Sequence, residues 1–288
     1  MTTLPPRTAP RDGFTLIELS IVLVIIGLIV GGVLVGQDLI RAAEIRATVG
    51  QVEKYNAAVN TFRTKYNGIP GDLIASQATA FGICASAVCT GVAGAGDGNG
   101  IIADNVAGTG TLGVGEPLLF WYELSQASLI DGSLGTGMAT AAAGPVAAVA
   151  LTSSNVNTYF PPAKMGRGNT WFVGNNGAGQ NFYLLSGLSA MTVGGVYTFT
   201  NNTTPIEAYN IDVKLDDGAP TTGIVQARGL QAVATTFGEI GTLNGPTYSA
   251  GGATGCAMGA SASDPAATYN RGTTQGSSPN CALRFRFN

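Results

Sequence analysis

The sequence has no histidine and very little charge: of 288 residues only 11 % are Asp, Glu, Lys or Arg, with 14 basic against 17 acidic side chains. A soluble protein ordinarily carries about 25 %. Without histidine there are no imidazole-based zinc sites and no histidine acid–base pairs. A formal net charge of −3 with no basic tract argues against nucleic acid as a partner, because that binding requires several phosphates to be neutralised. Tryptophan is scarce as well, at 2 residues, whereas 42 glycines are about twice the usual share and point to a loop-rich surface of small residues. Catalysis built on carboxylates alone is the enzyme class left open.

The apolar residues are concentrated at one end. From Phe14 to Gly36 the chain reads FTLIELSIVLVIIGLIVGGVLVG, 23 residues with Glu18 as the one ionisable side chain. As a helix this stretch is about 34 Å long, enough to cross a bilayer. Arg7 and Arg11 precede it and no basic residue follows until Arg41, so the charge bias predicts a cytoplasmic amino terminus and an exported remainder. A cleaved signal peptide or a plain anchor is the simplest reading. Neither accounts for the lack of an A-x-A site after the run, nor for a carboxylate placed in hydrocarbon, which costs several kcal/mol unless paired.

Gly13, Phe14, Thr15, Leu16, Ile17, Glu18 and Leu19 resemble the start of the type IV pilin and type II secretion pseudopilin family: a short basic leader ending in Gly, an aromatic residue, then T-L-I-E-L and a long apolar helix. The resemblance implies cleavage between Gly13 and Phe14 by an inner-membrane prepilin peptidase, methylation of the new amino group of Phe14, and assembly into a homo-oligomeric helical filament by separate pilus machinery. In that family the residue matching Glu18 is thought to meet the amino terminus of a neighbouring copy, an ion pair that neutralises a charge otherwise costly in lipid. The family often has a proline late in the membrane helix. Val35 stands there in this chain, with Gly27, Gly31, Gly32 and Gly36 nearby.

Beyond Gly36, Ile45, Val49, Val52, Tyr55, Val59, Phe62 and Tyr66 recur at helical spacing opposite Arg46, Glu53 and Arg63. Asn67-Gly68 and Pro70 should end the helix, which would then run for about 53 residues and roughly 80 Å. The expected organisation is a leader over 1–13, an apolar assembly helix over 14–36, its amphipathic continuation over 37–67, and an exported head over 68–288. Residues 84–115 form a glycine-rich loop. A short second helix is expected from Glu116 to near Gly132, and strands over Thr170–Val173, Asn181–Leu185, Val193–Thr200, Ile224–Ala227 and Ala282–Phe287. Residues 206–218 read as either helix or extended chain. The fold class is α+β: the pilin fold, with a long helix packed on an antiparallel sheet and a glycine-rich αβ loop.

Four cysteines, at 84, 89, 256 and 281, imply disulfides in an exported chain. Three pairings are possible, and proximity favours Cys84 with Cys89 and Cys256 with Cys281. The second pair resembles the carboxy-terminal staple of many pilins. Asp97, Asn99 and Asp104, and separately Asp212, Asp216 and Asp217, offer oxygen ligands on turns of the kind calcium prefers, although ordinary Asp-Gly and Asn-Gly turns explain the same residues. No cofactor is required by the sequence.

The function most in keeping with these residues is structural, not enzymatic: a filament subunit that begins in the bacterial inner membrane as a single-pass protein and ends in an extracellular fibre. The rivals are a type II secretion pseudopilin and a minor tip pilin for adhesion or DNA uptake. A membrane-anchored periplasmic hydrolase using Asp72, Glu116, Asp131 or Glu207 is more remote, because the sequence shows no nucleophile and base together.

Overall fold

The computed structural model describes residues 13–80, 82, 96–102, 116–135, 151–175, 179–191, 197–228, 255–259, 264–272 and 276–287. The chain divides into two compact units, Met1–Ala43 and Glu44–Asn288. Helix α1, Leu16–Tyr66, is continuous through both, 51 residues or about 77 Å long. In the first unit its large apolar side chains all stand exposed, with Leu16 at 88 %. The mean hydropathy of its most apolar window is 2.9, so α1 is long and apolar enough to cross a membrane. Nothing lies within 4 Å of where a side chain would project from Gly27, Gly31, Gly32 or Gly36.

In the second unit α1 buries Ile45, Val52, Tyr55, Val59, Phe62 and Tyr66 as its spacing predicts, together with Thr48 and Ala58, while Val49 is half-buried. The helix stops because Asn67 takes the left-handed conformation (φ 55°) and its N–H donates to the Arg63 carbonyl at 2.9 Å. Gly68 must follow, since a side chain there would come within 2.5 Å of Leu73 Cδ2.

The main sheet is antiparallel and is built from β1 (Leu151–Thr152), β2 (Asn169–Asn175), β3 (Asn181–Met191), β4 (Tyr197–Thr200), β5 (Val225–Arg228) and β8 (Ala282–Phe287). A separate two-stranded ribbon pairs β6 (Ala257–Met258) with β7 (Thr268–Tyr269). The long β3 is the hub: β2 and β1 line one edge and β8 and β4 the other, with Tyr183 opposite both Val173 and Phe285. β5 closes the far side of β8. The remaining helices are α2 (Ala75–Ala80), α3 (Glu116–Gln126) and α4 (Pro205–Leu215).

One expectation changes. α3 ends at Gln126, six residues before Gly132, because Ser128 adopts φ 57° and the Leu129 N–H turns back to the Leu124 carbonyl at 3.0 Å. Of the strand expected over Val193–Thr200, Tyr197–Thr200 is strand, and 192–196 lie outside the described residues. Residues 205–215 are helical, and the sequence held the signal for it. Thr204 caps the helix, Pro205 takes the first position, and Glu207 returns its carboxylate to the Thr204 N–H at 3.0 Å.

The sheet is buried on both faces, so β2 shows no alternation of buried and exposed residues. On the inner face Tyr55 of α1 meets Trp121 of α3 at 4.9 Å, Trp171 at 5.9 Å and Tyr183 at 6.0 Å between ring centroids. Phe287 stacks on Tyr183 at 4.2 Å. On the other face Phe172 packs between Phe160 and Phe199. Arg284 is buried there too: its guanidinium lies 4.4 Å over the Phe182 ring and donates to Gln226 Oε1.

Gln51 joins α1 to the head through every part of its amide. Its Oε1 accepts from the Lys164 N–H at 2.7 Å and the Trp171 indole N–H at 3.1 Å, and its Nε2 donates to the Pro162 carbonyl at 3.1 Å. Gln51→Leu keeps the volume and strands these partners, so it should destabilise the detergent-solubilised chain by about 1–3 kcal/mol in denaturant titration. Glu53→Gln on the exposed face should stay within about 0.5 kcal/mol.

Candidate functional site

The first candidate is the start of α1. Gly13, Phe14 and Thr15 precede the helix, and Phe14 is 86 % exposed. Thr15 is its cap: the Thr15 N–H and hydroxyl both donate to Glu18 Oε2 at 2.8 Å, and the Glu18 N–H donates back to Thr15 Oγ1 at 3.3 Å. This reciprocal box satisfies amide donors that a helix start otherwise leaves open, and it places a negative group at the positive end of the helix. The spacing T-x-x-E carries the box in the sequence, yet only Glu18 drew notice there. The carboxylate is oriented within its own chain, and its second oxygen remains open to another donor.

The second candidate is a carboxyl cluster under α3. Asp72, Asp97 and Glu116 each place an oxygen within 4.8 Å of the others. Asp72 is buried and accepts from the Gly98 N–H at 2.8 Å and the Gly100 N–H at 2.7 Å; the Asp97 N–H donates to Glu116 Oε1 at 3.2 Å. This close approach requires glycine at 71, where φ is +84° and a side chain would come within 2.4 Å of the Glu116 carbonyl. The grouping differs from the one the sequence indicated. Asn99 spends its Oδ1 on the Ile101 N–H at 2.6 Å and its Nδ2 on Asp97 at 2.7 Å, and Asp104 lies outside the described residues. Asp72 and Glu116 take those places, which no local motif could indicate because they are 44 residues apart in sequence.

The third is the turn after α4, where Asp212, Asp216 and Asp217 come together as expected. Asp212 is fully buried; it accepts from the Tyr269 hydroxyl at 2.8 Å and the Gly218 N–H at 3.1 Å. Asp216 accepts from the Ile224 and Val225 N–H groups, and Asp217 from the Ala219 N–H at 2.8 Å and the Thr222 hydroxyl at 2.6 Å. Burial pushes the Asp212 carboxyl up to about 7 against the pull of the Tyr269 and Gly218 hydrogen bonds. Both clusters supply hard oxygen ligands that could hold a divalent ion, and both are also satisfied by loop amides.

The cysteines divide in the same way. Cys256 and Cys281 form a buried disulfide that ties the β6 ribbon to the start of β8, with Cα atoms 4.9 Å apart; Cys84 and Cys89 lie outside the described residues. The four acids weighed for hydrolysis do not form one site. Asp72 joins Glu116, but Asp131 is 93 % exposed against Lys54, and Glu207 is held by its helix cap and by Arg167 at 2.9 Å.

The model described as the prokaryotic N-terminal methylation motif matches residues 9–34. That motif typifies prepilins of the type IV pilin and pseudopilin family, and the long helix with an antiparallel sheet on its later half matches the pilin α+β arrangement. The family is structural and non-catalytic. Neither the curated proteins nor the solved structures contain a match to the chain.

Glu123 adds a measurable property to the carboxyl cluster. It is fully buried and accepts from the Gly71 N–H at 2.6 Å. Burial pushes its carboxyl up to about 8, opposed by that hydrogen bond and aided by the Asp72 charge. The folded chain therefore keeps a proton that the unfolded chain releases in the ordinary glutamate range, and stability falls as pH rises from that range through about 8. Thermal unfolding of the detergent-solubilised chain should show a lower midpoint at about pH 8.5 than at about pH 5, and Glu123→Gln should shrink the difference.

Proposed function

We propose that this protein is a structural subunit of a type IV pilus or pilus-like filament, cut between Gly13 and Phe14 by a prepilin peptidase, methylated on Phe14, and assembled through α1. On this reading residues 1–13 are the leader, 14–36 the membrane and assembly segment, 37–67 its amphipathic continuation and 68–288 the head. The subunit waits in the inner membrane with its head outside the cytoplasm and becomes part of a surface fibre. The observation that carries the proposal is the methylation motif over 9–34 on a helix whose apolar side chains are uncovered. In the assembled state those side chains need other copies of α1 in place of lipid.

Glu18 then has a two-part role. Its own Thr15 orients the carboxylate, and the amine that cleavage creates on Phe14 of a second copy neutralises it. Thr15 is an amide-linked residue before and after cleavage, so the cap survives processing while the charged partner appears only afterwards. A pseudopilin of a secretion machine would use the same start; the span from 68 to 288 is large for the main subunit of such a machine and favours the pilus.

Intact-mass measurement of the assembled form should show loss of residues 1–13 and gain of one methyl group; a chain retaining its leader in the fibre would sink the proposal. Glu18→Ala should leave cleavage in place and reduce filament yield about tenfold or more, corresponding to loss of a pairing worth about 1.4 kcal/mol or more per subunit.

Calcium is the finer reading of the acidic clusters, with Asp212, Asp216 and Asp217 the better set. There the ion would replace the proton on Asp212 and brace the loop before β5. Adding calcium to chelator-treated protein should raise the unfolding midpoint, and Asp217→Asn should abolish the rise. An unchanged midpoint in the parent chain would rule calcium out.

A further inference from the structure

Charge in the second unit is segregated along the chain. Between Lys65 and Lys164 stand Asp72, Asp97, Asp104, Glu116, Glu123 and Asp131, with no Lys, Arg or His among them. The next cation, Lys164, lies on a cleft of about 200 Å³ with an apolar lining of Ile130, Pro161 and Pro162 and a charged rim of Lys54, Asp131 and Lys164. Lys54 Nζ contacts Asp131 Oδ2, and Lys164 acts on the same carboxylate through its charge. Two lysines and one aspartate thus line the same cleft. Among the described residues Lys164 makes no ion pair, although its backbone is fixed by Gln51 at 2.7 Å. The rim is left with one positive charge in excess, on a residue whose backbone is fixed.

The complementary feature is the loop at Asp97. Asp97 is exposed, and its carboxylate is oriented by the Asn99 N–H at 3.0 Å and the Asn99 amide at 2.7 Å, with no cation on it among the described residues. No ion pair joins Asp97 to Lys164 within the chain. A surface and its complement carried at different places on one chain are what a heterologous, open-ended assembly requires. We propose that the cleft rimmed by Lys54 and Lys164 is a docking surface for a second copy of this chain, and that it receives the acidic loop around Asp97. The proposal rests on the filament reading above.

The test uses the full chain expressed with its own processing and assembly machinery, with sheared fibre yield and electron microscopy as readouts. Lys164 is exposed and unpaired, so Lys164→Glu should leave cell-associated subunit unchanged and lower fibre yield about tenfold. Asp97→Lys should lower fibre yield by a similar factor, and the double exchange should restore most of the yield. Because a lysine at 97 also meets the buried acids beneath it, a second measurement avoids that change: chains carrying Lys164→Cys co-expressed with chains carrying Asp97→Cys should form a disulfide-linked dimer absent from either alone. Fibres at wild-type yield from Lys164→Glu, together with no mixed dimer, overturn the docking surface and leave the filament reading standing. A loss of yield that the double exchange does not repair, again without a mixed dimer, means a different partner fills the cleft and also overturns it. A wild-type chain that forms no fibre at all overturns the filament reading and this one with it.

Discussion

The structure depends on a single constraint: one helix of 51 residues carries apolar side chains along its whole length, and apolar surface must be covered. An isolated helix gains little from its own hydrogen bonds in water and takes its stability from what packs on it. From Ile45 to Tyr66 the cover is intramolecular and comes from the sheet, with Tyr55 seated among Trp121, Trp171 and Tyr183. From Phe14 to Ile40 the chain supplies none. Burying a leucine-sized side chain is worth about 1.5–3 kcal/mol, so among the described residues that uncovered stretch holds a large association energy. Lipid and other copies of the same helix are the two environments that can take it up.

The head balances its scarce charge by a different route. Where soluble proteins pair carboxylates with lysine or arginine, the cluster beneath α3 uses backbone amides: Asp72 takes those of Gly98 and Gly100, and Glu123 that of Gly71. Glycine at 71 serves this arrangement through its conformation: φ is +84° and a side chain would meet the Glu116 backbone carbonyl at 2.4 Å, so the Gly71 N–H reaches Glu123 only from a bare backbone. Asp212 follows the same pattern with Gly218 and Tyr269. Each buried carboxyl is left with a raised affinity for protons, which is the cost of neutralising charge with dipoles instead of cations.

How much of this could be read beforehand varies with the range of the interaction. The stripe on α1, the stop at Asn67 and the strand Ala282–Phe287 depend on neighbours three or four residues away, or on simple alternation, and the structure has them where the pattern puts them. The end of α3 was misplaced because Ser128, with no sequence mark of a left-handed residue, turns the chain early. α4 was left undecided although Thr204, Pro205 and Glu207 spell its cap, because apolar spacing in 206–218 is weak. Simple alternation with Leu283 and Phe285 would put Arg284 in solvent, but the second face of the sheet is also buried there. At the candidate sites Glu18 is legible as a lone charge in an apolar run, and the T-x-x-E spacing marks Thr15 as its cap. The meeting of Asp72 with Glu116 follows from tertiary folding alone.

The order of the strands bears on timing. β8 lies inside the sheet, between β3 and β5, yet it follows all the other strands in the chain. Until it arrives, β3 and β5 have no common partner, Tyr183 lacks the Phe287 ring, and Cys256 has no Cys281 to close on. A ribosome makes β8 after the other described strands, so the main sheet stays incomplete until that strand emerges. Closure of such a sheet is a late event, because the pairing that joins β3 to β5 waits for the strand that slots between them.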